Sequence, residues 1–248
     1  MTTTGETTEP AEAADATEAA DVAAVDDGRD AGDTDATGEV RATQVDASWY
    51  GESYMTLPRF VTHWHQAHEV VSVCPAGGHV LEIGPGSGHV TWLLRDWGRR
   101  VTTADFDPTV RPTAVSDVVH LPFADASVDC VLAAEVLEHL PFAELPAALA
   151  ELRRVTAGAL VLTLPAPFVG LSGLLNLTKL KPRRLHVGLP YMRRHRFDGQ
   201  HHWELGKRGT SVRTVRAAIQ AAGLTVVREY RPAPSLYNYV FVLRKKKV

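Results

Sequence analysis

Four short runs of this chain hold residues of a type and spacing that do chemistry. The first is Glu82-Ile83-Gly84-Pro85-Gly86-Ser87-Gly88, three glycines at alternate positions behind a carboxylate. Glycines allow positive φ and let a ligand approach main-chain amides closely. The second is a pair of separated aspartates: Asp105 closes Val101-Thr102-Thr103-Ala104, and Asp117 lies in Ser116-Asp117-Val118-Val119. A carboxylate at a strand end accepts hydrogen bonds from the two hydroxyls of a ribose. The third run is Ala134-Glu135-Val136-Leu137-Glu138-His139-Leu140, and the fourth is Gly199-Gln200-His201-His202-Trp203-Glu204. His139, His201 and His202 are the candidate general bases, because imidazole titrates near neutrality when unperturbed.

Two nucleotide-type ligands compete for the glycine turn. A pyrophosphate site prefers G-x-G-x-x-G ahead of a helix. Here the sixth position is His89, and Gly88 comes one residue early. Glu82 is also awkward for a diphosphate and comfortable for an ammonium or sulfonium group. The run Leu-Glu-Ile-Gly-Pro-Gly-Ser-Gly resembles the first motif of class I S-adenosylmethionine-dependent methyltransferases, within their type 11, ubiquinone-biosynthesis-like group. Ser116-Asp117-Val118 before Leu121-Pro122-Phe123 is similar to that family's third motif, and Glu135-Val136-Leu137-Glu138-His139-Leu140 to its fourth. With Asp105, residues 80–140 carry four matches in the family's order. The resemblance implies S-adenosyl-L-methionine as cofactor, held by Glu82, Gly84, Gly86, Gly88, Asp105, Asp117, Val118 and Glu135. It further implies that Asp117 receives the adenine amine while the Val118 amide faces a ring nitrogen. Asp107-Pro108 reads instead as a helix N-cap and first helical residue.

These groups need a frame to hold them. Alternating patterns predict strands at 79–83, 100–104, 114–117, 128–133 and 158–164, with helices at 88–97, near 108–112 and at 142–155. A helix at 211–222 and strands at 224–230 and 236–243 follow. Trp49 to Val73 reads as an opening helical region, interrupted early by Pro58. The expected fold is α/β: a Rossmann-like, doubly wound, mostly parallel seven-stranded sheet. A C-terminal antiparallel hairpin and a substrate-pocket insertion at about 166–210 complete it. Ligands in such sheets bind beyond the C-terminal strand ends, where strand order reverses. Within the insertion, the apolar run Phe168 to Leu180 is expected to be helical. Lys179, Lys181, Arg183, Arg184, Arg193, Arg194 and Arg196 make its remainder basic, interleaved with Tyr191 and Phe197.

Charge divides the 248 residues unevenly. Residues 1–48 hold thirteen acidic residues and two arginines, a net of −11, against −3 for the whole chain. With no aromatic before Trp49, that segment is expected to be a disordered acidic tail, and 49–248 the folded domain. Cys74 and Cys130 show neither metal nor redox spacing, and no apolar run approaches a membrane span, so a cytoplasmic setting is expected. Arg244-Lys245-Lys246-Lys247 reads as a solubilising end.

The implied reaction is in-line attack by an O, N or C nucleophile of a small-molecule acceptor on the methyl of a sulfonium, and the basic insertion admits an anionic acceptor. Holding the reactants in line supplies most of the rate, and a base helps only where the nucleophile must shed a proton. An alternative uses Glu135, Glu138 and His139 as a divalent-metal site, resembling that of small-RNA 2′-O-methyltransferases and ubiquinone-pathway O-methyltransferases. RNA as acceptor, through the basic insertion, and a non-catalytic cofactor-binding relative remain open readings. A nicotinamide dehydrogenase is disfavoured by Glu82 and His89. His65 and His68 share a helix face without a third ligand.

Overall fold

The computed structural model describes residues 47–167, 170–175, 183–188, 193–233 and 236–246. The expected acidic tail lies outside them except for Ala47 and Ser48. The strands are β1 (His79–Ile83), β2 (Arg100–Asp105), β3 (Ala114–Val115), β4 (Val128–Ala134), β5 (Thr156–Pro165), β6 (Gly170–Leu175), β7 (Arg183–Gly188), β8 (Leu224–Tyr230) and β9 (Asn238–Lys245). Seven of them form one sheet in the order β3-β2-β1-β4-β5-β9-β8. The first five run parallel, and β9 pairs antiparallel with both β5 and β8. The chain moves outward from β1 through β2 to β3, then returns to β4 on the other side of β1. That reversal opens a crevice at the carboxyl ends of β1 and β4.

The strand sequences decide the layers. Successive side chains face opposite sides of a sheet. Val80, Cys130, Leu132, Val161 and Val242 therefore face one layer, built by α1 (Leu57–Val73) and α2 (His89–Asp96) through Ala67, Val70, Val90 and Leu94. Leu81, Val131, Ala133, Leu160 and Phe241 face the other, built by α3 (Leu145–Val155) and α4 (Val212–Ala221). In α3 the buried positions Leu145, Ala148, Leu149, Leu152 and Val155 repeat at helical spacing. Ser211 starts α4 by accepting the Thr214 amide at 3.1 Å. Among the described residues, no helix is long and apolar enough to cross a membrane.

Several expectations change in detail. Pro58 occupies the first turn of α1, where its missing N–H costs nothing, so the helix starts there and is not interrupted. The segment near 108–112 is a single 3-10 turn, Pro108–Val110. The expected helix at 142–155 is a 3-10 turn, Phe142–Glu144, leading into α3. Within the apolar run expected to be helical, Gly170–Leu175 is instead β6, paired antiparallel with β7 from Gly170↔Gly188 to Leu175↔Arg183; the rest of the run lies outside the described residues. Gly170 and Gly173 each disfavour a helix by about 1 kcal/mol. Arg244 and Lys245 belong to β9, and the Lys245 ammonium donates to the Thr156 carbonyl at 3.2 Å, so only the residues beyond them remain for a solubilising end.

Candidate functional site

Beyond Ile83 the chain turns through Gly84, Gly86 and Gly88 at φ of 70°, 49° and 73°. Such values are costly for residues with a Cβ. At Gly84 a Cβ would stand 2.5 Å from Val136 Cγ2, and at Gly86 2.9 Å from the Tyr50 ring. The turn is thus held between the β4 edge and the N-terminal 3-10 segment Ala47–Tyr50. Glu82 lies beneath it, 2% exposed, and accepts the Thr91 hydroxyl at 2.5 Å. Burial pushes its carboxyl up to about 7. The carboxylate expected to face a cationic ligand therefore also ties β1 to α2 under the loop.

Asp105 ends β2 and accepts the Asp107 amide at 2.9 Å; burial raises its pKa. Asp107 caps the following turn as expected, accepting the Thr109 amide at 2.8 Å. Asp117 is buried and accepts the Val119 amide at 3.0 Å. The side chain of Val118 joins the core, which leaves its main chain as the part available to a ligand. Tyr50, besides covering Gly86, lies near Asp105 and Asp107. Burial first, then the charges of its neighbours, push its phenol up to about 12.

Past β4 the chain kinks at Glu135, a non-glycine residue at φ 57°. Such strain persists only where surroundings over-determine it, and it clusters at functional sites. The kink turns the Glu135 carboxyl toward Asn238 and Thr163, whose side chains hydrogen-bond it, while one oxygen stays buried without a partner. Glu138 is fully buried, and neither carboxyl oxygen has a partner among the described residues. Burial, then the charge of Glu135, raises its pKa well above the usual carboxylate range.

The insertion closes over this edge. His139 Nδ1 lies 3.0 Å from the Gln200 carbonyl, which fixes the proton on that nitrogen. Burial, then His201, lowers its pKa to about 4, so the ring is neutral at physiological pH. The His201 ring is 5.2 Å from His139, and its Nδ1 lies 3.3 Å from Glu204 Oε1. Burial alone would raise Glu204, but hydrogen bonds from His201 and Lys207 hold it down to about 2. The His202 amide donates to the Glu138 carbonyl at 2.8 Å, and its ring packs on Phe197. Trp203 is buried and donates its indole N–H to the Leu137 carbonyl at 3.2 Å.

Glu138, His139 and His201 present ligand-type atoms within 4.8 Å of one another. Two of these, Glu138 and His139, belong to the alternative metal set read from sequence; Glu135 is not in this close group, and His201 is. A second group, His195, Asp198 and Glu204, is as close, but the Lys207 ammonium already contacts Glu204 and His195. His65 and His68 do not form a pair, since His65 bonds the Tyr230 hydroxyl at 3.0 Å and His68 stacks on Trp64. Sequence reasoning missed Tyr50 over Gly86 and Glu204 behind His201. Both contacts are long-range, or run within an irregular loop, and leave no periodic signal.

A protein family described as a methyltransferase domain matches residues 81–161. A malonyl-[acyl-carrier protein] O-methyltransferase of Serratia marcescens is 33% identical over 90 residues, 32% of this chain and 34% of that protein. A probable S-adenosylmethionine-dependent methyltransferase of Mycolicibacterium smegmatis is 40% identical over 93 residues, 32% and 36% respectively. The chain thus spans about a third of the length of these curated relatives. In fold, it is similar to the 1,6-didemethyltoxoflavin-N1-methyltransferase of Burkholderia thailandensis, solved with 1,6-didemethyltoxoflavin and S-adenosylhomocysteine. The TM-score is 0.58 at 17% identity, covering 81% of this chain and 85% of that one. Residues 81–161 thus match a methyltransferase domain, and the fold of the chain is similar to that of the solved methyltransferase.

Proposed function

We propose that the chain transfers a methyl group from S-adenosylmethionine to an O, N or C nucleophile of a small-molecule acceptor by in-line displacement. The observation that supports this reading is that the positive-φ glycine turn, Asp105 and the strained Glu135 lie at the carboxyl ends of β1, β2 and β4, with Asp117 just beyond β3. The residues fit the cofactor. Gly84 and Gly86 carry no side chain between the turn and a ligand, and any Cβ there would strike Val136 or Tyr50. The unpartnered Glu135 oxygen suits a cationic neighbour. Glu82, Gly84, Gly86 and Gly88 would hold the amino-acid end, Asp105 the ribose, and Asp117 with the Val118 amide the adenine. When bound, the cofactor supplies a methyl group on positively charged sulfur.

The chain's own residues orient, enclose and handle protons. Tyr50 closes the crevice over Gly86 and keeps water from it. Glu204 holds the Nδ1 proton of His201 and would stabilise the imidazolium that forms when Nε2 takes a proton from the acceptor. His139, kept neutral beside it, positions that ring. His202 anchors the loop through its amide. In the acceptor wall, Trp203 and Glu204 are buried, while Arg193, Arg194 and Arg196 stand exposed outside it. That arrangement favours a small molecule over a polyanion.

One observation favours a second reading, in which the acceptor is bound through a divalent cation at Glu138, His139 and His201. The Glu138 oxygens are buried and unpartnered, and each histidine has its Nδ1 occupied by a backbone carbonyl or a carboxylate, as metal-bound histidines do. S-adenosylhomocysteine should raise the melting temperature strongly and NADH should not; indifference to the former would refute methyl transfer. Labelled methyl groups should then enter a low-mass product of extract fractions. Zinc or manganese ions should stabilise the parent and not Glu138→Gln if the second reading holds. Acceptor binding that weakens steeply with salt would point to RNA.

A further inference from the structure

Parallel neighbours normally need a crossover of a dozen or more residues, usually a helix. Residues 106–113 make the passage from β2 to β3 with one 3-10 turn. The flank of the sheet beside α2 is left open, and a cleft of about 390 Å³ occupies it. Ser87 of the glycine turn, Trp92 and Arg95 of α2, and Thr103, Arg111 and Thr113 line it. None of Asp105, Asp117, Glu135, His139 or His201 does. The lining holds two arginines and no carboxylate.

The two guanidinium groups have little else to do. Arg95 donates to the Val101 carbonyl at 3.0 Å and has further N–H groups to offer. Arg111 makes no ion pair among the described residues, and it is held in a left-handed conformation, φ 53°, with its amide on the Pro108 carbonyl at 3.0 Å. Trp92 keeps 64% of its surface exposed at the rim. Thr103 and Thr113 meet at 3.2 Å through their hydroxyls and make the floor polar.

We propose that this cleft is a second ligand site, taking a small aromatic molecule that carries a phosphate. Arg95 and Arg111 grip the phosphate and Trp92 stacks on the ring. Guanidinium forks match phosphate oxygens, an indole face receives a flat ring, and the volume lies within the roughly 300–1,000 Å³ of small-molecule sites. Pro85, Gly86, Ser87 and Gly88 belong both to this cleft and to the glycine turn that would hold the cofactor, so filling it stiffens the turn from outside. Ligand and cofactor affinities are then linked and must change by the same factor.

The test is calorimetric titration of the full chain at low salt with phenyl phosphate, inorganic phosphate and phenol, each with and without saturating S-adenosylhomocysteine. Phenyl phosphate is expected to bind more tightly than either fragment and to persist alongside S-adenosylhomocysteine. Arg95→Ala and Arg111→Ala should each weaken it by about tenfold or more. Trp92→Ala should reduce it to the level of inorganic phosphate. S-adenosylhomocysteine affinity in the absence of phenyl phosphate should stay as in the parent in all three variants, which separates failure here from failure of the methyl-transfer reading. Absence of binding at millimolar phenyl phosphate, displacement by S-adenosylhomocysteine, or undiminished binding by both arginine variants would each overturn the proposal. Inorganic phosphate binding as tightly as phenyl phosphate would overturn the stacking role of Trp92.

Discussion

Glu82→Gln gives the sharpest test of how the site is supported. The carboxyl is fully buried under the glycine turn, and its pKa rises from the ordinary 4.5 to about 7. Below pH 4.5 it is protonated in both the folded and the unfolded chain and makes no difference to stability. Between 4.5 and 7 the unfolded chain loses its proton first, so the folded state binds more protons and stability falls as pH rises. Above 7 the loss is complete, at roughly 3 kcal/mol. Glutamine still accepts the Thr91 hydroxyl but carries no charge. The variant should therefore match the parent near pH 4.5 and exceed it by about 3 kcal/mol at pH 8, on the order of 10 °C in melting temperature. Glu135 and Glu138, both raised, bend the same curve. The informative quantity is thus the variant minus the parent, followed by thermal melts from pH 5 to 8. S-adenosylhomocysteine carries an ammonium group, so its affinity for the parent should grow with pH over that range, and the variant should bind it more weakly and without that slope. Parallel melting curves for the two proteins would refute the buried-ionisation argument.

Further outcomes follow from particular contacts. Gly84→Ala forces a Cβ into a positive-φ position against Val136, and should cost about 1–2 kcal/mol of stability in urea melts from the backbone alone, with weaker S-adenosylhomocysteine binding. Asp105→Ala and Asp117→Ala should each weaken S-adenosylhomocysteine by about tenfold or more in calorimetry while circular dichroism stays unchanged. Arg154 bonds Glu151, Asp125 and the carbonyls of Leu121 and Phe123, so Arg154→Ala should release the loop before β4 and lower the melting temperature by several degrees, with faster amide exchange at residues 121–126.

The sheet was legible in the sequence because its strands are buried apolar runs with clear ends. Residues 79–83 and 224–230 form strands over the expected spans, and 100–104 differs from β2 by one residue. The order of the glycine turn, Asp105, Asp117 and Glu135 along the chain was enough to place all four at one edge, since parallel strands bring their carboxyl ends together. The insertion was not legible. Its leucines repeat at a spacing that helix and strand both tolerate, and β6 is fixed by pairing with a separate segment, β7, that local periodicity does not reveal. The exchange of Glu135 for His201 in the close trio was equally hidden. A left-handed kink at a glutamate has no compositional signature, and the approach of residue 201 to residue 139 is made by an irregular loop.

The position of β9 has a consequence for biosynthesis. Among the described residues it is the last strand, yet it lies inside the sheet and supplies the sole ladder partner of β8. Its first residue, Asn238, hydrogen-bonds the Glu135 side chain and accepts the Thr62 hydroxyl at 3.3 Å, joining the kinked edge to α1. A nascent polypeptide stalled or nicked ahead of this strand can assemble the parallel half but leaves β8 stranded and the kink unsupported. Ribosomal synthesis must therefore pass residue 245 before the candidate site is complete, and premature-stop products should emerge unable to bind S-adenosylhomocysteine and prone to clearance by proteases.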